Sequence, residues 1–271
     1  QNRLTIRYLF CILFVMENIY GVMIDSVSSL KEKLKKIITS NSEEEIARFI
    51  SQADDLRKVR FKNKVTLRAI VNVKCGKCTE DCAFCSQSAR FDTKVEAYPL
   101  ISPEEILKKA GEASLNHAGC FSIITSGRGV YDKKEIASIA KALGLLSKKF
   151  PHLKRSASLG IISEHTLRIL KDAGLQKYHH NLETSKRFFP NISKTHTYEE
   201  KVNVILAAKS IGLEVCSGGI FGMGEDWDDR IDLGLNLKRL KVDSIPINFL
   251  NPIKGTTLES MPHLKPKDAF L

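Results

Sequence analysis

Residues 65–88 read VTLRAIVNVKCGKCTEDCAFCSQS. The opening segment, Val65 to Val73, is dominated by β-branched and aliphatic residues, the composition of a strand that packs on a core. Four cysteines follow within eleven residues: Cys75, Cys78, Cys82 and Cys85. A loop that directly follows a strand lies at its C-terminal end, which is where parallel α/β barrels build their active sites.

Outward from this stretch, β-type and helix-type segments alternate. Strands are expected at residues 65–73, 121–125, 155–159, 177–182, 213–220 and 243–250, with helices at 104–113, 134–146, 164–173, 199–211 and 228–240. Such alternation implies parallel strands joined by crossover helices. The fold class is therefore α/β, a TIM-type (β/α) barrel. Six units are visible where a closed barrel needs eight, so the barrel is expected to be truncated, its C-terminal units missing, with residues 265–271 opening another helix at Pro266.

The catalytic domain is assigned to residues 61–271. Residues 24–60 read as a helical cover, with Leu30, Leu34 and Ile37 on one stripe and Ile46, Phe49 and Ile50 on another. Ser42 is placed to cap the second stripe, with Glu45 three residues on. Residues 1–23 are set aside as a doubtful upstream or leader segment. Their apolar run from Leu9 to Met16 follows Arg3 and Arg7, but it is too short to span a bilayer, and Met16 and Met23 are plausible internal starts.

Composition narrows the function classes. The chain has 271 residues, 43% of them hydrophobic, enough for one sizeable core. Its net charge of +11 is spread along helical patterns, as at Lys35-Lys36 and Lys148-Lys149, and reads as solvated faces; no nucleic-acid or membrane partner is expected. Seven cysteines, an odd number clustered locally, fit metal ligation in a reducing, cytoplasmic compartment better than disulfides.

Cys78-x-x-x-Cys82-x-x-Cys85 can supply three thiolates to a four-iron cluster. One iron is then left open to bind a reactant. Two other readings use Cys75 as a fourth ligand: a zinc site, cramped by the short spacing, or a closed cluster that only carries electrons. Cys75 could equally be a packed thiol. On the strand at residues 178–183, alternation places His179, Asn181 and Glu183 on one face and Tyr178, His180 and Leu182 on the other. A polar trio facing a barrel interior reads as a ligand site, because barrel centres are normally filled by aliphatic residues.

The string Cys78-Thr-Glu-Asp-Cys82-Ala-Phe-Cys85-Ser-Gln-Ser resembles the biotin synthases, a family of radical S-adenosylmethionine enzymes. The likeness continues through Thr125-Ser-Gly-Arg128, His180-Asn-Leu-Glu-Thr-Ser185, Cys216-Ser-Gly-Gly-Ile220 and Ser244-Ile-Pro-Ile-Asn248, covering roughly residues 65–262. The resemblance implies that Cys78, Cys82 and Cys85 hold a 4Fe-4S cluster that binds and cleaves S-adenosylmethionine, and that the substrate is dethiobiotin, into which sulfur is inserted. It also implies cofactor contacts at Phe84, Asn181, Glu183 and Lys201, and substrate contacts at His179, Asn181 and Asn248. Lys201 stands where relatives often have Arg, and His179 and Glu183 where most have Asn and Asp. An auxiliary iron–sulfur cluster, 2Fe-2S or a variant type, is implied too. Its family ligand positions fall on Ser122, Ser156 and Cys216, so only Cys216 offers a thiolate; Cys120, roughly 7 Å deeper on the same strand face as Ser122, is too far to substitute. A flavodoxin- or ferredoxin-type electron donor and a homodimer complete the expectation. The competing functions are a radical enzyme of another substrate, such as a hydrogenase-cofactor maturase, and a non-catalytic iron–sulfur protein.

Overall fold

The structure is a computed structural model that describes residues 31–32, 35–36, 42–62 and 64–265, apart from the side chain of Phe49. The expected leader, the stripe of Leu30, Leu34 and Ile37, and the helix after Pro266 lie outside the described residues.

Helix α1 (Glu43–Phe61) starts as expected on Ser42, whose hydroxyl accepts from the Glu45 N–H. Five βα units follow: β1 (Arg68–Lys74), α2 (Pro103–Leu115), β2 (Cys120–Thr125), α3 (Lys133–Lys149), β3 (Lys154–Ser158), α4 (Glu164–Asp172), β4 (Lys177–His179), α5 (Tyr198–Ser210), then β5 (Glu214–Cys216), β6 (Gly219–Phe221) and α6 (Trp227–Arg239), before a last strand β7 (Ile247–Phe249). Each crossover helix opens on a side-chain cap that satisfies free N–H groups: Ser102, Asp132, Ser163, Thr197 and Asp226. Apolar residues at helical spacing, Ile139, Ala142, Leu143 and Leu146 on α3 for example, pack against the outer faces of the strands, where Ile123, Ala157, Tyr178 and Val215 are buried.

All strand pairs are parallel, β1 through β5 in sequence order and β6 with β7. The single strand expected at residues 213–220 is broken into β5 and β6, and glycine explains where. A Cβ on Gly218 would lie 1.8 Å from the Pro246 carbonyl oxygen, and one on Gly219 2.3 Å from that of Glu183. The break therefore lets this chain segment press against both neighbours. Pairing survives it: Ser217 N–H donates to the Ser244 carbonyl, Gly219 N–H to Pro246 and Ile220 N–H to Glu183. The described strands thus form six positions of one parallel, barrel-type array. Its inner face is open at the β1 end, where Arg68, Ile70 and Asn72 are exposed.

Candidate active site

The loop after β1 is folded on itself by backbone hydrogen bonds. The Cys78 N–H donates to the Gln87 carbonyl (3.0 Å), the Cys85 N–H to Cys82 (2.9 Å), and the Ala89 N–H to Cys78 (2.7 Å). Between the second and third cysteine, Ala83 is fixed from both sides, its N–H on the Ile192 carbonyl and its carbonyl receiving the Leu258 N–H. Phe84 packs in a small apolar cluster with Ile192, Met223, Leu250, Ile220 and Leu258, which seats the loop above β6 and β7. Glu80 and Asp81, both missed by the sequence reading, anchor the loop's first half to residues 193–196.

The three cysteines are free thiols. Burial pushes the Cys82 thiol up to about 12, with Lys201 pulling the other way and Cys85, Glu183 and Cys78 adding to the rise. Burial raises Cys85 as well, with Cys78, Glu183 and Lys201 again within electrostatic reach. Cys78, Cys82, Cys85, Glu183 and Lys201 therefore face one region. Three soft thiols facing one region suit an iron–sulfur cluster. Cys75 is occupied elsewhere: its thiol donates to Gln87 Oε1 (3.1 Å), which also accepts from the Gly76 N–H (2.6 Å). This packs the Cys75 thiol at the end of β1.

Below the loop, β4 ends at His179, so Asn181 and Glu183 lie on its extension and not within the strand. Asn181 turns its Oδ1 to the Gly218 N–H (3.0 Å) and its Nδ2 to Glu183 (3.4 Å). Glu183 has a positive φ of 73°, a left-handed conformation, so strict alternation stops before it. Its carboxyl group is raised by burial, against the opposing pull of Lys201, His179 and Asn181, and this places it with the polar set. Tyr178, His180 and Leu182 are buried on the opposite face, as alternation requires. Lys201 reaches in from α5 and donates to the Asn181 carbonyl (3.0 Å). Asn248 is exposed, paired in register with Ile220 and sharing strand parity with Ser244.

Deeper in the array, Cys216 is 1% exposed and in register with His179 and Ser244. Burial would raise its pKa, yet hydrogen bonds from His179, Ser244 and Arg68, with the charge of His179, lower it to about 6. Arg68 Nη1 lies 3.7 Å from the sulfur. Ser122 and Ser156 are register partners on β2 and β3, both buried. Lys177, also buried, pairs with Glu214 and donates to the Ser244 hydroxyl (3.3 Å). Arg68 and Lys177 were missed in the sequence, although each is a cation at an inward position of a strand, and that signal was there to use.

The residues 72–234, more than half of the chain, match the Radical SAM superfamily. The chain is 45% identical over 220 residues to a biotin synthase of Pelobacter propionicus, covering 81% of this chain and 67% of that protein. It is 47% identical over 232 residues to one of Thermotoga petrophila, covering 86% and 75%. Among solved structures, methylornithine synthase (PylB) superposes with a TM-score of 0.77 at 20% identity, over 87% of this chain and 68% of that one, a likeness of fold. Among the described residues no helix is long and apolar enough to cross a membrane. With the three-cysteine loop, the parallel array beneath it and relatives at this level of identity, the chain belongs to the biotin synthase family of radical S-adenosylmethionine enzymes.

Proposed function

We propose that this chain inserts sulfur into dethiobiotin to form biotin, with residues 61–271 as the catalytic unit. The observation that carries the reading is the juxtaposition of the three-cysteine loop with inward polar residues of the array: Cys82 and Cys85 share one region with Lys201 and Glu183, and His179, on the strand that leads to Asn181 and Glu183, is the register partner of Cys216.

Cys78, Cys82 and Cys85 would hold the 4Fe-4S cluster. When bound, it supplies the electron that cleaves S-adenosylmethionine and so provides the radical that removes hydrogen from unactivated carbon. The chain's own residues bind and orient. Lys201 offers a buried ammonium for the carboxylate of the cosubstrate, although as a point charge and not as the two-pronged guanidinium of an arginine. Asn181 and Glu183 serve the ribose, Phe84 the adenine, and His179, Asn181 and Asn248 the substrate. The apolar cluster round Phe84 keeps water from the loop's lower side.

The residues do not fit an auxiliary cluster held by three cysteines. Ser122 and Ser156 carry hydroxyls, which are far weaker iron ligands than thiolates. Cys216, with Arg68 and His179 at its sulfur, is the thiolate available there to anchor a sulfur-donating group, whether 2Fe-2S or a variant type. A flavodoxin- or ferredoxin-type donor, a homodimer and a cytoplasmic setting belong to the same reading.

The test is anaerobic reconstitution, iron and sulfide counting, then incubation with S-adenosylmethionine, reductant and dethiobiotin. Biotin is the expected product. Methionine release without biotin, with iron in place, would move the chain to a radical enzyme of another substrate.

A further inference from the structure

The three residues between Cys78 and Cys82 do more than span a gap. Asp81 accepts from the Ser193 hydroxyl (2.7 Å), the Thr195 hydroxyl (2.9 Å) and the N–H groups of Lys194 (3.0 Å) and Thr195 (3.2 Å). Glu80, buried, lies 2.9 Å from the same Thr195 hydroxyl, 2.6 Å from His196 Nδ1 and 3.5 Å from Arg128 Nη1. Arg128 in turn donates to the Thr195 carbonyl (2.6 Å) and to Glu200 Oε1 (2.5 Å). Glu200 spends its other oxygen on the Thr197 N–H, completing the cap of α5. The next residue is Lys201.

This is a rigid path from the cysteine loop to the start of the helix that carries the buried ammonium. Arg128 is itself seated without slack. The Ile161 N–H donates to its carbonyl (2.6 Å), and a Cβ on Gly160 would come within 2.2 Å of the same oxygen. Charged hydrogen bonds thus tie the cysteine loop to the first turn of α5, the helix that carries Lys201.

We propose that Asp81 and Arg128 are positioning residues that fix Lys201 relative to the open side of the cluster, and so set the affinity for S-adenosylmethionine. The inference rests on the reading of Lys201 as the carboxylate's partner. Asp81→Asn keeps the shape and removes the charge. Arg128→Lys keeps the charge and removes the fork that spans Thr195, Glu80 and Glu200.

The reconstituted variants, together with Lys201→Gln and the double variant Arg128→Lys/Lys201→Gln, would be compared with the unmodified chain. The measurements are iron content, the EPR spectrum of the reduced cluster with and without S-adenosylmethionine, and KM and kcat for methionine release. Both single clamp variants should keep full iron and an unchanged spectrum without cosubstrate. They should raise KM about 10- to 100-fold with kcat little changed, and weaken the spectral change on adding cosubstrate. The double variant should be no worse than Lys201→Gln alone, because both changes break one path. Loss of iron in proportion to loss of cleavage would overturn the inference, leaving the clamp a fastening for the cluster. Additive effects in the double variant would overturn it too, with the clamp acting by another route. A silent Lys201→Gln would sink the carboxylate reading itself, and the inference with it.

Discussion

The cysteine loop and the Cys216 pocket hold the same functional group in opposite states. At the loop, burial dominates and holds the Cys82 thiol at about 12, so assembly of a cluster there must expel protons. In the pocket, burial also disfavours the anion, but Arg68, His179 and Ser244 more than offset it and bring Cys216 to about 6. What differs is the supply of fixed donors to sulfur. Burial dominates at the sulfurs of the loop, whereas three donors face the sulfur of Cys216.

The largest expected effect breaks the loop side of this comparison. Cys85→Ala leaves two thiolates on a cluster that needs three, so iron content and methionine release should both vanish, a fall of at least about 1,000-fold. Cys75→Ala should stay within about threefold, because that thiol is committed to Gln87 and lies outside the ligand set. Methionine release at equal protein concentration after identical reconstitution measures both. The reverse outcome would restore a closed four-cysteine site.

The same contrast explains what could be read from sequence. The cysteine spacing is local, and so is the alternation behind the six expected strands: 121–125 and 155–159 match β2 and β3 within one residue, whereas 177–182 and 243–250 shorten to the three residues of β4 and β7. The strand break at Gly218 was not visible, because it depends on the Pro246 and Glu183 carbonyls, which arrive from other strands. Nor was the path from Glu80 through Arg128 to Glu200, three residues spread over 120 positions that only the fold brings together. Arg68 could have been suspected from its inward parity, but its partner across the array could not. Parity also carried the site as far as Asn181; at Glu183 a positive φ ends the strict alternation, yet its carboxyl group still meets Asn181 Nδ2.

A second, smaller effect tests the pocket. Because the folded pKa of Cys216 lies below its ordinary value of 9.0, ionisation adds stability that is complete above that value and fades as pH falls through about 6. The unmodified chain should therefore gain on Cys216→Ser progressively as pH rises from about 6 towards 9, with the extra margin gone at pH 5. Anaerobic urea unfolding of both proteins before reconstitution reads the difference, in which the titrations of Cys82 and Cys85 cancel. A margin that stays flat from pH 6 to 9 would mean that Cys216 keeps its proton and the two regions are alike.

The smallest effect concerns the residue that belongs to both descriptions of the loop. Phe84 sits between two of the three cysteines, where the family resemblance gives it to the adenine, yet its side chain packs against the cluster of Ile192, Met223 and Leu250. Leucine in its place fills much of the same volume with apolar surface, and near-volume-conserving swaps in a packed cluster cost less than about 1.5 kcal/mol. If packing is the whole of its role, Phe84→Leu should lower the unfolding midpoint slightly while KM for S-adenosylmethionine stays within about twofold. An aromatic contact with the adenine is worth about 0.5–1.5 kcal/mol beyond burial, so its loss should raise KM by about two- to tenfold with iron content unchanged. The second pattern is expected, because Phe84 is only partly buried by its apolar neighbours and stands between two of the three cysteines. Unchanged KM alongside a lowered midpoint would return Phe84 to the scaffold.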